Sequence, residues 1–324
     1  MSKNLGVKVY HGFGHKHDIV LFGHVFQHKP SFSQNYSDNP FVNMFRMLRL
    51  FFVKPLPRIP VKLQWGPQTL DGRTELDGFY RFEWVSETET AAGWYQVEVQ
   101  SVDHSGQVTG QGEGKVFIPH ITQYAFISDI DDTVMVSHSS TIWRRMKELL
   151  FKNSKTRMVF SDVAAHYKLL AQAHTTPDSP NPFFYVSSSE WNLYDYLRDV
   201  FQHKELPEGA FLLNQVKRWY ELWKTGKTKH EGKLLRILRI FQVFPNQRFI
   251  LMGDNSQSDP GIYAKLGEKY ADRIFAVYIR LVNEDKRLPA LQHLDALNKK
   301  GIHTLLFEHS SEAIAHSRAI GLIS

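Results

Sequence analysis

The spacing of apolar and polar residues divides the chain into two parts of different character. Up to about residue 120, short runs such as Trp94 to Val99 alternate apolar and polar positions, as half-buried β-strands do. Asp71-Gly72, Asp77-Gly78 and Ser105-Gly106 separate such runs and predict turns. Residues 1–120 are therefore predicted to form a small β-rich, sandwich-like domain.

One helix is predicted within this β-rich part, near residues 40–53. Asn39-Pro40 opens a segment whose apolar residues recur at helical intervals, and the segment ends before Pro55. The same segment contains Arg46 and Arg49. An apolar helix with cationic residues fits an anionic membrane surface. A core helix that packs the two parts of the chain together is the favoured interpretation.

From about residue 121 the pattern becomes an alternation of apolar runs and helical stretches. The apolar runs predict buried parallel strands at Tyr124 to Ile127, Phe183 to Val186, Arg248 to Met252 and Ile274 to Ile279. The predicted helices span residues 142–151, 161–173, 190–201, 233–244 and 261–270. Residues 121–324 are thus predicted to be an α/β domain, a parallel sheet with helices on both faces. Ligands of such sheets bind beyond the carboxyl ends of the strands.

Composition and charge narrow the classes of function. The 324 residues include no cysteine, which excludes disulfides, thiolate catalysis and cysteine-based zinc sites. The net charge of +6 favours anionic partners. No zinc-finger or ribonucleoprotein signature accompanies the basic residues, so nucleic acid is not expected as a partner. No run resembles a signal peptide or reaches the roughly 18 apolar residues of a spanning helix. A cytoplasmic protein without a transmembrane segment is therefore expected.

The first candidate chemistry follows the first predicted strand of the α/β part. Asp129, Asp131 and Asp132 place three carboxylates within four residues, and Thr133 follows them. Their repulsion costs stability unless a cation lies among them. Mg²⁺ binds carboxylates together with phosphate and water, and a carboxylate can itself attack a phosphoryl group. An acidic turn or a calcium loop has the same pattern, so this motif alone leaves the chemistry open.

Polar residues also follow the next two predicted strands. Ser187-Ser188-Ser189 offers hydroxyl donors for a phosphoryl oxygen, or an N-cap for the helix that follows. Asp254 and Asp259 form a second acidic loop after the third strand. Between these two strands, the basic segment 227–233 precedes a helix, where the helix dipole disfavours lysine. A solvated run of charges is the alternative interpretation of this segment.

The order acidic loop, hydroxyl loop, lysine and acidic loop resembles the four-motif pattern of the haloacid dehalogenase (HAD) superfamily of phosphohydrolases. Asp129 to Thr133, Tyr185 to Tyr194 and Phe244 to Tyr263 are similar to a narrower family, the catalytic domain of actin-patch-protein-type phosphatidate phosphatases. Val9 to Gly14 and the β-rich region resemble its bacterial members.

Two loops depart from that family. This chain has Ser-Ser-Ser-Glu-Trp at 187–191 where family sequences commonly have Ser-Asn-Ser-Pro-Trp. It has Gly-Asp-Asn-Ser-Gln at 253–257 where they often have Gly-Asp-Ser-Gly-Gln. Neither difference removes a candidate catalytic side chain, but both put the substrate preference in doubt.

The resemblance implies an HAD-like Rossmannoid fold and a Mg²⁺-dependent phosphatase with an aspartyl-phosphate intermediate. Asp129 would be the nucleophile. Asp131 would protonate the leaving alcohol and then activate water, and Thr133 would orient Asp131. Ser187 would hold a phosphoryl oxygen, with Ser188 as a further substrate-binding residue.

A lysine and a metal complete the implied site. Lys233, with Lys229 as the alternative, would offset the charge of the nucleophile and bind the phosphoryl group. Mg²⁺ would be held by Asp129, Asp131 through its backbone carbonyl, Asp254 and Asp259. Asp259 would bind the ion directly or through water, or hold the lysine in place. Asp132 is expected to be only a neighbour.

The spacing of the motifs bears on the substrate. The segments between Thr133 and Ser187 and between Ser189 and Lys233 are too short for a full cap domain over the site. An open site suits a bulky substrate, and the resemblance implies phosphatidate at a membrane surface, bound by a peripheral protein. A phosphatase for a phosphoprotein, nucleotide or sugar phosphate is the alternative enzyme. A lipid-binding scaffold with little catalysis is the alternative outside enzymes.

Overall fold

Strands in the described part of the chain form two sheets. The structure is a computed structural model, and the residues it describes are 4–28, 42, 45, 48–120, 124–135, 160, 163–176, 179–214 and 229–324. The helix predicted at 142–151 lies outside these ranges.

The first sheet belongs to the β-rich part. Its eight strands are β1 Gly6–Val9, β2 Gly12–His15, β3 Asp18–Phe26, β4 Pro60–Trp65, β5 Gln68–Arg73, β6 Phe79–Trp84, β7 Gly93–Val102 and β8 Val108–Ile118. They run in the order β1-β3-β2-β8-β7-β4-β5, and β6 pairs with β3. Buried and exposed residues alternate along β4 and β6, as the sequence pattern predicts. A β-rich region is thereby confirmed, and hydrogen bonds join its strands into one sheet.

Strand β3 is buried on both faces because it lies between two cores. Ile19 and Leu21 pack inside the β-rich region, whereas Val20 and Phe22 pack into a core shared with the second part of the chain. Beside them, the ring of Tyr10 stacks on Trp191 with 4.0 Å between centroids. The two parts of the chain are thus joined by a continuous apolar contact.

The second sheet is entirely parallel, as predicted. Its strands are β9 Tyr124–Ser128, β10 Phe183–Glu190, β11 Ala210–Asn214, β12 Arg248–Asp254, β13 Ile274–Arg280 and β14 His303–Phe307. Their order is β11-β10-β9-β12-β13-β14. The order reverses between β9 and β12, so a crevice for a ligand is expected at the carboxyl ends of these two strands.

Helices cover this parallel sheet. They are α1 Val163–Ala171, α2 Tyr194–His203, α3 Lys229–Val243, α4 Asp259–Tyr270, α5 Arg287–Asn298 and α6 Ser310–Ala319. Every residue of β9, β10 and β13 is buried, which requires cover on both faces. Among the described residues, no helix has the length and apolarity to cross a membrane.

The helix predicted near residues 40–53 is described only in part. Val42, Phe45 and Arg49 have helical backbone conformation. Leu50 and Phe51, which follow, are buried in the shared core. Phe45 and the neighbouring Phe52 are instead exposed. The end of this segment therefore packs between the two parts of the chain, while some of its apolar side chains face outward.

Two buried histidines make the stability of the fold depend on pH. Burial lowers the pKa of His24 to about 3, and burial together with the charge of the nearby Arg280 lowers the pKa of His166 to about 3. In the unfolded chain both pKa values return to about 6.5, so unfolding takes up protons below that pH. Stability should fall as the pH drops from about 6.5 towards 3, by up to about 1.4 kcal/mol per pH unit for each histidine.

Thermal and urea unfolding between pH 7 and pH 4.5 measure this dependence. Replacing one histidine, as in His24→Gln, should make the slope shallower than in the wild type, because one proton fewer is taken up on unfolding. An unchanged slope would show that His24 does not contribute.

Candidate active site

The ends of two neighbouring parallel strands bring the acidic loops together. Asp129 directly follows β9 and Asp254 is the last residue of β12. The strands pair in register through Ser128 and Met252, and the Asp129 amide donates to the carbonyl oxygen of Met252 at 2.8 Å. The first and the last acidic motif of the sequence therefore meet at the crevice where the strand order reverses.

Three carboxylates form a buried cluster at this crevice. Oxygen atoms of Asp129, Asp254 and Asp259 all lie within 4.8 Å of one another, and all three side chains are buried. A Cβ atom on Gly253 would lie 2.5 Å from Asp259 Oδ2, so only glycine permits this approach. These three residues have the arrangement to hold a metal ion.

Lys233 is the cation of the cluster. It lies in α3, and its Nζ donates to Asp129 Oδ1 at 2.7 Å and also to Asp259 Oδ1. Burial by itself lowers the pKa of Lys233, but the two carboxylates raise it more, so the ammonium stays protonated. Lys229, the alternative from sequence, is the first residue of α3, and its side chain lies outside the description.

One ammonium does not balance three carboxylates. Burial raises the pKa of Asp129 well above its usual range; Lys233 counteracts this rise, and Asp259 and Asp254 add to it. Burial, followed by the charge of Asp259, raises the pKa of Asp254 to about 7. A divalent cation bound here would offset the repulsion among the three carboxylates, because its charge stabilises their ionised forms.

The donor atoms fit a hard cation. Asp129 Oδ2 is buried and has no hydrogen-bond partner among the described residues. Burying a carboxylate oxygen without a partner is costly, so the arrangement suits a positive ligand at that atom. Carboxylate oxygens are the ligands that Mg²⁺ prefers. Asp131, the fourth predicted ligand, contributes no carboxylate oxygen to this cluster of described residues.

Asp131 is held from the neighbouring strand. Its Oδ2 accepts hydrogen bonds from Ser187 Oγ at 3.0 Å and from Ser189 Oγ at 3.1 Å. Both serines lie on β10, where residues two apart point to the same side. Ser188, between them, is also buried. From the sequence, Ser189 was only a candidate donor to a phosphoryl oxygen; its hydrogen bond to Asp131 was not predicted, although its spacing of two from Ser187 was a signal for it.

Thr133 and Asp132 border the second acidic loop. Thr133 Oγ1 lies 3.5 Å from Asp254 Oδ2, and Asp132 Oδ2 accepts from Ser256 Oγ at 3.3 Å. Asp132 has a φ of 61°, a left-handed conformation that aspartate and asparagine tolerate better than most residues. The predicted role of Thr133 was to orient Asp131. The described contacts place Thr133 beside Asp254, and two serines donate to Asp131.

Two arginines hydrogen-bond to backbone carbonyl oxygens of the serine loop and the first acidic loop, and neither arginine was predicted from the sequence. Arg236 lies one helical turn after Lys233, and its Nη2 donates to the carbonyl oxygen of Ser187 at 3.2 Å. Arg280 ends β13, and its Nε donates to the carbonyl oxygen of Thr133 at 3.2 Å. The i, i+3 spacing from Lys233 was the only sequence signal for Arg236.

The part of the chain that contains this site is similar in sequence to known proteins. Residues 124–281 match the family model described as "Phosphatidate phosphatase APP1, catalytic domain". Phosphatidate phosphatase APP1 of Saccharomyces cerevisiae is 29% identical over 154 residues, which are 48% of this chain and 25% of that protein. An uncharacterized protein of Schizosaccharomyces pombe is 23% identical over 163 residues, which are 50% of this chain and 26% of that protein.

These matches cover only part of each protein. The chain spans about a quarter of the length of both curated relatives. The matched range contains all the candidate residues of the site, from Asp129 to Asp259. The similarity to the phosphatidate phosphatase family therefore extends over the whole site. Among solved structures, a carbohydrate acetylesterase from Xanthomonas citri is 8% identical, covering 95% of this chain and 70% of that chain, with a TM-score of 0.33. That TM-score is too low to inform on fold or function.

Proposed function

We propose that this protein is a Mg²⁺-dependent phosphatase that hydrolyses phosphatidate to diacylglycerol and phosphate through an aspartyl-phosphate on Asp129. The observation that carries the proposal is the state of the Asp129 carboxylate. One oxygen is bound by Lys233, and the other is buried without a partner next to Asp254 and Asp259. The strand order and the motifs suit an HAD-like Rossmannoid domain, in which this aspartate is the nucleophile.

In the first step, an Asp129 carboxylate oxygen forms a bond to phosphorus while the bond from phosphorus to the glycerol oxygen breaks. Asp131 gives a proton to the departing oxygen, so that diacylglycerol leaves as a neutral alcohol. Ser187 and Ser189 hold Asp131 for this transfer. Lys233 offsets negative charge on the nucleophile and on the phosphoryl group, which is where phosphoryl transfer needs it.

In the second step, water attacks the phosphorus of the aspartyl-phosphate. Asp131, now a carboxylate, takes a proton from the water, and the bond between Asp129 and phosphorus breaks. Inorganic phosphate is released, and both aspartates return to their starting states. Proton transfer of this kind typically contributes about 10²–10⁴-fold to the rate.

The cation belongs to the same cluster. Asp129, Asp254 and Asp259 would hold Mg²⁺, with the backbone carbonyl of Asp131 as the further ligand that the family resemblance implies. When bound, Mg²⁺ neutralises charge that develops on the phosphoryl oxygens. Such a protein would work on the surface of a membrane as a peripheral enzyme.

Phosphate release from phosphatidate vesicles tests the proposal. Wild-type protein with Mg²⁺ should release phosphate, removal of the metal by a chelator should stop it, and Asp131→Asn should slow it by about 10²–10⁴-fold. Release from soluble phosphomonoesters but not from phosphatidate would contradict the lipid substrate. Vesicle binding without any release would contradict the enzyme and favour a lipid-binding scaffold.

A further inference from the structure

Large apolar side chains on the surface of the described residues are not spread evenly. Three lie on strands β6 and β8 or within three residues of them: Leu76, Val85 and Val108. The other seven, which we call the apolar rim, are Val42, Phe45, Phe52, Leu235, Val282, Leu288 and Leu291. Single exposed apolar residues are ordinary, but a concentration at one edge of a protein marks an interaction surface.

The first segment of the apolar rim is tied to the serine loop. Phe52 lies two residues after Leu50, whose carbonyl oxygen accepts from Asn192 Nδ2 at 2.9 Å. Asn192 is the second residue after the end of β10, the strand with Ser187. Phe52 is 63% exposed, so it projects from the catalytic edge of the sheet rather than into the core.

The second segment is the start of α3. Leu235 is 65% exposed and lies two residues after the buried Lys233. The next residue, Arg236, donates to the carbonyl oxygen of Ser187. The same helical turn therefore presents a lysine to the acidic cluster and a leucine to the outside.

The third segment follows β13. The Val282 amide donates to Asn255 Oδ1 at 2.8 Å, and Asn255 is the neighbour of Asp254. Lys286 Nζ donates to the carbonyl oxygen of Ser256 in the same acidic loop. Leu288, which is 71% exposed, lies in the first turn of α5 directly after these contacts. Three separate stretches of chain thus place apolar side chains around one crevice.

The charge beside the apolar rim identifies an anionic occupant. The exposed cations Arg49 and Lys54 flank Phe52 in the chain. Next to Leu288, Arg287 forms ion pairs with both Glu284 and Glu308. Apolar side chains with adjacent cations bind the interface of bilayers that contain anionic lipid.

We propose that the apolar rim inserts into the surface of an anionic bilayer and holds the crevice against the lipid headgroups. This surface deepens the proposed function and rests on it for its biological meaning, because a membrane-bound phosphatidate would then reach Asp129 without leaving the bilayer. Binding itself needs only the rim and the cations. A protein with an acidic, apolar face is the competing occupant.

Val85 provides a matched control outside the apolar rim. It follows Trp84, which pairs with Ile19 at the start of β3. The adjacent Asp18 binds Arg239, six residues beyond Lys233 in α3, at 2.9 and 2.7 Å. Val85 is 56% exposed and follows the last residue of β6, so Val85→Ser removes a similar exposed side chain outside the apolar rim.

Vesicle flotation and phosphate release together test the proposal. The probes are phosphatidylcholine vesicles with and without phosphatidate, and a water-soluble short-chain phosphatidate. Leu288→Ser should weaken binding to phosphatidate vesicles about tenfold. Serine lacks most of the free energy that a leucine side chain gains when it moves from water into the bilayer. The ratio of release from vesicles to release from the soluble lipid should fall by a similar factor. Val85→Ser should change neither quantity.

The outcomes separate the rim from the reaction. Membrane binding by the apolar rim would be contradicted if Leu288→Ser, Val85→Ser and the wild type bound vesicles equally well. It would also be contradicted if the wild type bound neither kind of vesicle. If Leu288→Ser releases phosphate with the same ratio between vesicles and soluble lipid as the wild type, membrane binding by the rim is contradicted and the proposed function is not. Binding that depends on Leu288 without any phosphate release would support the rim and overturn the proposed function.

Discussion

Asp129→Asn is expected to abolish phosphate release, with a loss of about 10⁴-fold or more, as removal of a covalent nucleophile generally causes. The amide has nearly the same shape, so the packing around residue 129 should persist. It lacks the charge and the free carboxylate oxygen that Asp129 Oδ2 presents. Release of inorganic phosphate from phosphatidate vesicles, and acid-stable trapping of phosphate on the protein, measure the loss.

Asp132→Asn is the matched control for this variant. The change is chemically the same, three residues away, and asparagine tolerates the left-handed φ of 61° at that position. Asp132 lies outside the cluster of Asp129, Asp254 and Asp259. Asp132→Asn should keep activity within about tenfold of the wild type, since only the electrostatic potential at the crevice changes. Comparable losses in both variants would mean that the acidic motif acts as a whole and that Asp129 has no special role.

Lys233→Met should have the largest effect on stability. Removing one partner of a buried ion pair leaves an uncompensated charge and typically costs about 3–5 kcal/mol. Here the ammonium is bound by both Asp129 and Asp259, and Asp254 adds a third carboxylate. Methionine fills a similar volume, so the loss should reflect charge rather than a cavity. Urea unfolding of the two proteins in a metal-free buffer measures it.

Magnesium distinguishes this interpretation from simple misfolding. If the carboxylates repel one another in Lys233→Met, Mg²⁺ should recover part of the lost stability, because a bound cation replaces the missing positive charge. Lys168→Met, which breaks the exposed pair with Glu205, should have little effect with or without the ion. A Lys233→Met protein as stable as the wild type, or one that Mg²⁺ leaves unchanged, would contradict the charge argument.

The parallel sheet and most of its site could be predicted because both are encoded in short stretches of chain. Each apolar run from Tyr124 to Ile279 is a buried strand, and the polar residues that end these strands belong to the crevice. Asp129, Asp254 and Asp259 came together because adjacent parallel strands end at one edge. Geometry of that kind follows from strand direction alone.

Contacts that depend on side-chain direction could not be predicted in the same way. The hydroxyl of Thr133 lies against Asp254, and Ser189 joins Ser187 at Asp131. Which hydroxyl reaches which carboxylate depends on the turn at Asp132. The positive φ of Asp132 is not predicted by any local sequence pattern. Arg280 binds a carbonyl oxygen 147 positions away in the chain, a distance at which spacing has no predictive value.

The sequence by itself determined the two kinds of structure in the chain, the absence of cysteine chemistry and the set of acidic, hydroxyl and basic residues offered to a phosphate. Those properties depend on residue type and short-range periodicity. Only the tertiary structure decided that Lys233 sits between Asp129 and Asp259, that one Asp129 oxygen has no partner among the described residues, and that Phe52, Leu235 and Leu288 are exposed. Those features arise where distant segments meet, and the packing of the whole chain sets the distances there.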